Sequence, residues 1–360
     1  MLLTELRRQP IHLERMAAPV NNSAWLEWIT ALVGGKSRQT HAATFPPDRF
    51  YCLLDELPLH LVPRYAFRQS EIQDSQRFCL NPGCTVRPAD DVPDELAARE
   101  DLLSGFALRG TIAWVRDTPG GAVLPFWLGP ELESLIRELG PGEAVSPEMS
   151  SNVRSLVAAG ILVAEGEPAR GEHEREEMIR AAGLSFREKG YAPMRSLIHP
   201  FHVAALRRYY RHQIRTGAIE LGDQQSARRH VAHDEPVARF FHHQITGLLS
   251  AVAGEPLKPS YVYLASYLSG AELKKHTDRE QCEFSITLCL DFSPEPALET
   301  PWPIHLDTPR GAVTVHQALG DGLAYRGTRL PHYRSRLGEG QTSTSIFFHY
   351  VSADFAGELN

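Results

Sequence analysis

Two short stretches of sequence decide what this chain can be: Leu273-Lys-Lys-His-Thr-Asp-Arg279 and Leu330-Pro-His332-Tyr-Arg334. In the first stretch, one residue separates His276 from Asp278. Because side chains two positions apart on a strand point to the same face, the imidazole and the carboxylate can converge on one point. His332 begins a second strand-like run. The two stretches therefore predict that His276, Asp278 and His332 meet in the folded chain.

The sequence on either side of the first stretch predicts strands. Residues 260–267 are rich in aromatic and β-branched side chains and lead into a turn at Gly270. Residues 282–291 alternate apolar and polar side chains at period two. The His-x-Asp pair is therefore expected at a turn between two strands.

Two imidazoles and one carboxylate on one face are the protein donors of non-haem Fe(II) sites, which leave the opposite positions open. A His-x-Asp pair alone is weak evidence in a chain with 16 His. The flanking strands strengthen it. A competing motif, His233-Asp-Glu235, lacks such strands, so we favour His276, Asp278 and His332 as catalytic metal ligands.

With its surroundings, this motif resembles the 2-oxoglutarate- and Fe(II)-dependent dioxygenases, and most closely their prolyl-hydroxylase-like branch. The resemblance covers residues 180–354 and rests on Tyr267-x-x-Gly270, the His-x-Asp pair, residues 284–290, Gly320-Asp-Gly-Leu-Ala-Tyr-Arg-Gly327 and His332. It implies a double-stranded β-helix (jelly roll) that holds Fe(II), with 2-oxoglutarate and dioxygen as cosubstrates. It also implies that Tyr267 hydrogen-bonds 2-oxoglutarate.

The chain departs from this family at the residue that binds the distal carboxylate of 2-oxoglutarate. Relatives carry Arg or Lys on the strand after the second metal-binding His, where this chain has residues 338–348 without a cation. Arg334 and Arg336 share the face of His332 on a regular strand, and a guanidinium fits a carboxylate well. We expect Arg334 to bind this carboxylate, with Arg336 in reserve and hydroxyl donors from Thr342 or Thr344. Arg279 is a third candidate, and solvated edge charges are the alternative reading.

Length and composition set the frame. A chain of 360 residues predicts two domains, and the net charge of −7 argues against a nucleic-acid partner. No run of apolar residues is long enough to span a membrane, and the N-terminal residues lack the order of a secretion signal. Five Cys fit a reduced, cytoplasmic protein, with Cys282 and Cys289 as buried apolar side chains.

The N-terminal half reads as a separate unit. Helices are expected at residues 23–33, 129–140 and 147–160, and the last leads through Gly160 into a strand. This order resembles a winged helix over about residues 105–165. Since the second helix of that unit carries only Arg154 as a cation, DNA binding is disfavoured. Recognition of a substrate or partner is preferred over a purely structural role.

These readings combine into an α+β chain with two domains. Residues 1–170 are expected to form an α/β recognition or structural domain, and residues 171–360 a dioxygenase domain whose jelly roll is buttressed by helices. Residues 223–235 are expected to be a polar loop. The leading function is hydroxylation of a peptide, protein or carrier-bound amino acid. The alternatives are an oxygenase for a free small molecule, and a non-catalytic sensor or binding protein on the same fold.

Overall fold

The structure is a computed structural model that describes residues 10–11, 45–64, 77–117, 120–139, 143–145, 150–165, 168–224 and 226–360. The helix expected at residues 23–33 lies outside this part of the chain. Two compact units are present. Unit 1 holds residues 179–199 and 216–360 together with Pro10 and Ile11, and unit 2 holds the described residues from 45 to 178 together with Pro200–Arg215.

The described residues form both helices and strands. The α-helices are α1 Asp94–Ala97, α2 Pro130–Glu138, α3 Ser150–Ala158, α4 Pro168–Lys189, α5 Pro200–Arg215 and α6 Pro236–Ala253, and short 3-10 helices lie at Leu59–Leu61, Glu100–Leu103 and Glu280–Cys282. The strands are β1 Pro10–Ile11, β2 Phe78–Leu80, β3 Cys84–Pro88, β4 Thr111–Asp117, β5 Ala122–Leu128, β6 Ala144–Val145, β7 Leu162–Ala164, β8 Tyr191–Met194, β9 Glu220–Leu221, β10 Arg229–His233, β11 Leu257–Tyr267, β12 Leu273–His276, β13 Phe284–Ser293, β14 Ile304–Thr308, β15 Gly311–Val315, β16 Gly322–Tyr325, β17 His332–Arg334 and β18 Thr342–Ser352.

Unit 1 consists of two β-sheets. The larger has the strand order β8-β16-β13-β18-β11-β10-β9 and the smaller β1-β15-β14-β17-β12. All pairings are antiparallel except β1 with β15. From β11 to β18 the chain passes back and forth between the sheets, with β14 and β15 as a hairpin on the smaller one. This arrangement is consistent with the predicted jelly roll.

An apolar cluster contributed by both sheets fills part of the space between them. It contains Tyr191, Ile304, Leu306, Val315, Leu323, Tyr325 and Leu330. Each fully buried aliphatic side chain of this kind contributes roughly 1.5–3 kcal/mol to folding. The cluster therefore holds the smaller sheet, whose strands β12 and β17 carry His276 and His332, against the larger one.

Helices α4 and α6 pack on the outer face of the larger sheet. Phe186 of α4 stacks on Phe284 of β13, with ring centroids 6.1 Å apart. The Nε2 atom of His242 on α6 lies 2.7 Å from the carbonyl oxygen of His349 on β18. The hydroxyl of Tyr350 donates in return to the His242 carbonyl at 2.8 Å. The expected buttressing of the sheet by helices is thus present.

The prediction that residues 223–235 form a loop is wrong for their second half. Arg229–His233 is strand β10, paired along its length with β11. Polar composition concealed this strand, because its one buried cation, Arg229, is neutralised by an ion pair with Asp223. Such a pair forms across space and leaves no periodic signal in the sequence.

Unit 2 contains two three-stranded sheets, β6-β2-β7 and β3-β4-β5. The expected order of helix, helix, Gly160 and strand is present as α2, α3 and β7. That this unit is a winged helix stays a prediction. Helix α5 belongs to the unit through buried contacts: Arg207 donates to the carbonyl of Leu61, and His202 Nε2 lies 2.8 Å from the carbonyl of Pro125. Within the described ranges, no helix is both long and apolar enough to cross a membrane.

Candidate functional site

His276, Asp278 and His332 converge in unit 1. Their ligand atoms lie within 4.8 Å of one another. Asp278 Oδ1 is 3.6 Å from His276 Nε2 and 3.5 Å from His332 Nε2. The two histidines are direct partners in the pairing of β12 with β17, which places their rings 4.4 Å apart. The geometry is that of three protein donors on one side of a metal site, consistent with Fe(II).

Both imidazoles are oriented by the backbone. His276 Nδ1 lies 2.8 Å from the carbonyl oxygen of Lys274, and His332 Nδ1 lies 3.0 Å from that of Leu330. In each neutral ring, an Nδ1–H group that donates to a carbonyl leaves Nε2 unprotonated. Both lone pairs therefore point toward Asp278 Oδ1, which is the tautomer that metal ligation requires.

The three side chains differ in exposure. The side chain of His332 is 3% exposed and that of Asp278 is 11% exposed, whereas His276 is 37% exposed. Burial lowers the pKa of His332, which keeps its imidazole neutral. The nearby carboxylate of Asp278 partly opposes this shift. The site thus has a protected side at His332 and an accessible side at His276, on the edge strand of the smaller sheet.

Hydrogen bonds of its backbone N–H and of its Oδ2 atom hold Asp278 in place. Its backbone N–H donates to the carbonyl of Gly327 at 2.9 Å. The Ser285 hydroxyl donates to Asp278 Oδ2 at 3.1 Å and lies 2.9 Å from His349 Nδ1. Burial lowers the pKa of His349 to about 4, so this imidazole is neutral at physiological pH.

A second group of potential ligands shares the same carboxylate. Asp278, Cys282 and His349 also have ligand atoms within 4.8 Å of one another. The Ser285 hydroxyl already lies within hydrogen-bonding distance of both Asp278 and His349. Burial also raises the pKa of the Cys282 thiol to about 12, which disfavours the thiolate. The cluster with the two oriented histidines is therefore the better metal site.

Arg334 is buried in the interior of unit 1. Its Nη1 donates to the carbonyl of Trp302 at 2.6 Å and its Nη2 to Gln317 Oε1 at 3.2 Å. Its guanidinium carbon lies 4.9 Å from the centre of the Trp302 ring. No carboxylate of the described residues forms an ion pair with it. Burial lowers the pKa of this guanidinium, which remains charged because its ordinary value lies far above physiological pH.

Three buried polar atoms on strands of the two facing sheets have no hydrogen-bond partner among the described residues. They are Arg334 Nε on the smaller sheet, and Thr287 Oγ1 and Ser345 Oγ on the larger one. Thr287 adjoins Arg334 through Gln317, whose Nε2 donates to the Thr287 carbonyl at 2.9 Å. An unpaired cation and unpaired hydroxyls in one interior are the groups that a carboxylate of a bound molecule would satisfy. The residues present therefore fit a dicarboxylate cosubstrate.

The other residues predicted to bind the cosubstrate differ in burial. Tyr267 is buried, packs on the ring of Trp302 at 5.0 Å, and lies 3.4 Å through its hydroxyl from Arg229 Nη1. Arg336 is exposed and lies beyond the end of β17. Arg279 is exposed and stacks on the ring of Tyr261 at 4.5 Å.

Thr342 and Thr344 are not on the side of the metal ligands. Both share the face of β18 that carries Phe348, which packs on His242 of α6. Thr344 Oγ1 donates to Ser266 Oγ at 2.8 Å. The hydroxyls on the inner face of β18 belong instead to Ser343 and Ser345, which alternate with them.

Sequence reasoning missed Ser285, His349, Gln317 and Ser345. The period-two pattern of β13 contained part of the signal, since Ser285, Thr287 and Cys289 occupy one face of that strand. That this face lines the site could not be read from the strand alone. Trp302 is buried against Tyr267 and Arg334.

Comparisons with known proteins give structural neighbours only. The sequence matches no family model and no curated protein. The non-heme alpha ketoglutarate dependent epimerase SnoN from nogalamycin biosynthesis is 14% identical, with a TM-score of 0.42, over 49% of this chain and 84% of SnoN. A prolyl-4-hydroxylase from Pseudomonas putida is 18% identical, with a TM-score of 0.40, over 48% of this chain and 99% of that chain.

A third neighbour is HygX from Streptomyces hygroscopicus, whose structure contains nickel and 2-oxoglutarate. It is 13% identical, with a TM-score of 0.40, over 49% of this chain and 88% of HygX. Each similarity extends over about half of the chain.

Proposed function

We propose that the chain is an Fe(II)- and 2-oxoglutarate-dependent oxygenase. The observation that supports this proposal most is the meeting of His276, Asp278 and His332 in a β-sandwich whose interior also contains an unpaired, buried Arg334. A metal site alone would fit many proteins. A metal site and a buried cation together fit a cosubstrate that binds the metal at one end and carries a free carboxylate at the other.

Each residue has a defined task in this proposal. His276 and His332 bind the metal through Nε2 and Asp278 binds it through Oδ1, so that three positions remain for other ligands. Bound Fe(II) would supply the activation of dioxygen, with 2-oxoglutarate as the electron source that is converted to succinate and CO2 as the substrate gains one oxygen atom. Arg334 pairs with the distal carboxylate, assisted by the hydroxyls of Thr287 and Ser345.

Burial supports these tasks. The apolar cluster around Leu306, Leu323 and Leu330 keeps water from the interior, which strengthens the attraction between Arg334 and a carboxylate. The phenol of Tyr325 lies 3.5 Å from His332 Nε2, and burial raises its pKa well above the ordinary value, so it remains a neutral hydrogen-bond donor beside the ligands. Tyr267 is the further hydroxyl proposed to contact the cosubstrate.

For the substrate we propose a peptide, protein or carrier-bound amino acid that is hydroxylated at a C–H bond, with unit 2 contributing to its recognition. A free small molecule is the second candidate. The partly exposed His276 on the edge strand β12 supports entry of substrate from that side. The two candidates are separated by asking which class of compound accelerates 2-oxoglutarate consumption and gains an oxygen atom by mass spectrometry.

The first experiment is anaerobic visible absorption of the protein titrated with Fe(II) and then with 2-oxoglutarate. A metal-to-ligand charge-transfer band is expected for the wild type and should be absent in His276→Ala. Arg334→Ala should keep the band but need at least about 30-fold more 2-oxoglutarate, because losing one member of a buried charge pair costs 2–5 kcal/mol. Arg336→Ala is the matched control and should bind 2-oxoglutarate as the wild type does.

Three outcomes would count against the proposal. The absence of a band in the wild type at saturating Fe(II) and 2-oxoglutarate would refute the oxygenase and favour a non-catalytic binding protein. An unchanged 2-oxoglutarate affinity in Arg334→Ala would remove Arg334 from the site. A loss of affinity in Arg336→Ala alone would transfer the role to that residue.

A further inference from the structure

We propose that Ser285 and His349 are positioning residues that form a hydrogen-bond relay to Asp278 and fix which of its oxygens meets the metal. This inference rests on the proposed metal site. It assigns a role to two residues of the larger sheet that supply no ligand themselves.

The relay answers a geometric need. Asp278 lies two residues beyond the end of β12, so the strand does not fix its side chain as it fixes His276. A carboxylate in a turn can rotate and present either oxygen or both to a metal. Here Oδ1 lies 3.6 and 3.5 Å from the two imidazole nitrogens, while Oδ2 accepts the hydroxyl of Ser285 at 3.1 Å.

The direction of the protons follows from the available donors. The carboxylate of Asp278 can only accept, and its Oδ2 lies closer to the Ser285 hydroxyl, at 3.1 Å, than the Cys282 carbonyl does, at 3.4 Å, so the single hydroxyl proton points toward Oδ2. Ser285 Oγ must then accept from His349, whose Nδ1 is 2.9 Å away and carries the proton in this tautomer. The chain of donors runs from His349 to Ser285 to Asp278, and each member strengthens the next.

The two outer members are rigid. Ser285 and His349 are direct partners in the pairing of β13 with β18, the two central strands of the larger sheet. Ser285 is fully buried and His349 is 6% exposed. A rigid sheet therefore orients a carboxylate that lies on a turn. By holding Oδ2, the relay favours binding through one oxygen and keeps the remaining metal positions free.

Gly327 completes the environment of Oδ2. A Cβ atom at this position would lie 2.3 Å from Asp278 Oδ2 and 2.8 Å from Ser285 Oγ. The hydrogen bond between Ser285 and Asp278 thus occupies space that any other residue at 327 would take. Close packing and directed hydrogen bonding act on the same oxygen, which supports a positioning role over an incidental contact.

The test is Co(II) binding to variants of the 360-residue chain, measured by visible absorption and by calorimetry. Ser285→Ala and His349→Ala should raise the Kd for Co(II) by about 10–100-fold, the usual effect of losing an outer partner of a metal ligand. His349→Asn should recover most of the affinity, because its amide can donate from near the former Nδ1 position. Ser266→Ala is the control, since it removes a buried hydroxyl from the opposite face of the larger sheet.

A merely structural role would lower the melting temperature of all these variants without changing the Co(II) spectrum or the order of their affinities. A Kd in folded Ser285→Ala within twofold of the wild-type value would overturn the relay while leaving the metal site intact. A failure of the wild type to bind Co(II) would refute the metal site and the relay together. If His349→Asn bound Co(II) as weakly as His349→Ala, the donor from residue 349 would be excluded.

Discussion

Gly327 follows strand β16 and lies directly beside Asp278. Its carbonyl accepts the Asp278 N–H at 2.9 Å, and its missing side chain leaves room for Oδ2. We expect Gly327→Ala to displace the carboxylate and weaken Co(II) binding at least about tenfold, as for other losses around a metal ligand. Overpacking should also cost about 1–3 kcal/mol of unfolding free energy.

Gly338→Ala is the matched control for that substitution. A Cβ at 338 meets only the flexible end of Gln341, 2.7 Å from its Oε1 atom, which can move aside. The two variants are compared by Co(II) titration and by urea unfolding. Equal metal affinity in Gly327→Ala and in the wild type would show that the carboxylate does not depend on this glycine.

The metal ligands could be predicted from sequence because local spacing and strand patterning identify them. Residues whose role depends on contacts with distant parts of the chain could not be predicted in this way. Nothing in the sequence around Ser285 distinguishes it from another polar residue on an alternating strand, and the partner that gives it a role, His349, lies five strands later in the chain, on β18. For Thr344 the choice of face depended on the register of β18, which the apolar run 346–348 does not reveal.

Register between strands explains why the site forms where it does. His276 and His332 face each other because β12 pairs antiparallel with β17, and Leu273 then pairs with Arg334 across an irregularity in β12. The neighbouring strands β11 and β13 were predictable from their side-chain patterns, but β12 and β17 are short and polar. Their pairing was not predicted, and strand β10 was missed because a neutralising acid, Asp223, replaced the apolar signal.

Because His242 is buried where α6 packs on β18, we expect the free energy of unfolding to depend on pH. Burial lowers the pKa of His242 well below 6.5, and His243, His349 and Arg239 lower it further, against a hydrogen bond to the His349 carbonyl that raises it. As the pH falls through about 6.5, His242 is therefore protonated in the unfolded chain but stays neutral in the folded chain. Stability due to this group is fully present above pH 6.5 and falls at lower pH, by up to about 1.4 kcal/mol per pH unit.

Urea unfolding between about pH 7.5 and 5.5 measures this dependence. His242→Gln keeps a donor toward the strand carbonyl but cannot be protonated, so the slope of unfolding free energy against pH should be smaller in this variant. Other histidines, including His349, contribute to the remaining slope. Equal slopes in the variant and the wild type would mean that His242 does not couple this helix to pH.

The order of the chain does not follow the division into units. Helix α5 lies C-terminal to residue 170 in the sequence but packs within unit 2, where Arg208 lies over the ring of Tyr51 at 3.5 Å. Its apolar spacing predicted a helix and carried no information about which sheet the helix would meet. A sequence boundary drawn between helical and charged segments therefore could not locate this exchange, since it depends on contacts between distant residues.

All three proposed metal ligands lie in unit 1, so metal binding should stabilise that unit in particular. At a free Co(II) concentration about 100 times the Kd, the stabilisation is about 2.7 kcal/mol. Hydrogen exchange followed by mass spectrometry should show slower exchange in β12, β13 and β17 when Co(II) is added, and unchanged exchange in the sheet of β3, β4 and β5. His276→Ala should abolish the difference. Slower exchange confined to unit 2 would place the metal elsewhere, because a ligand protects the strands that its binding holds in the native pairing.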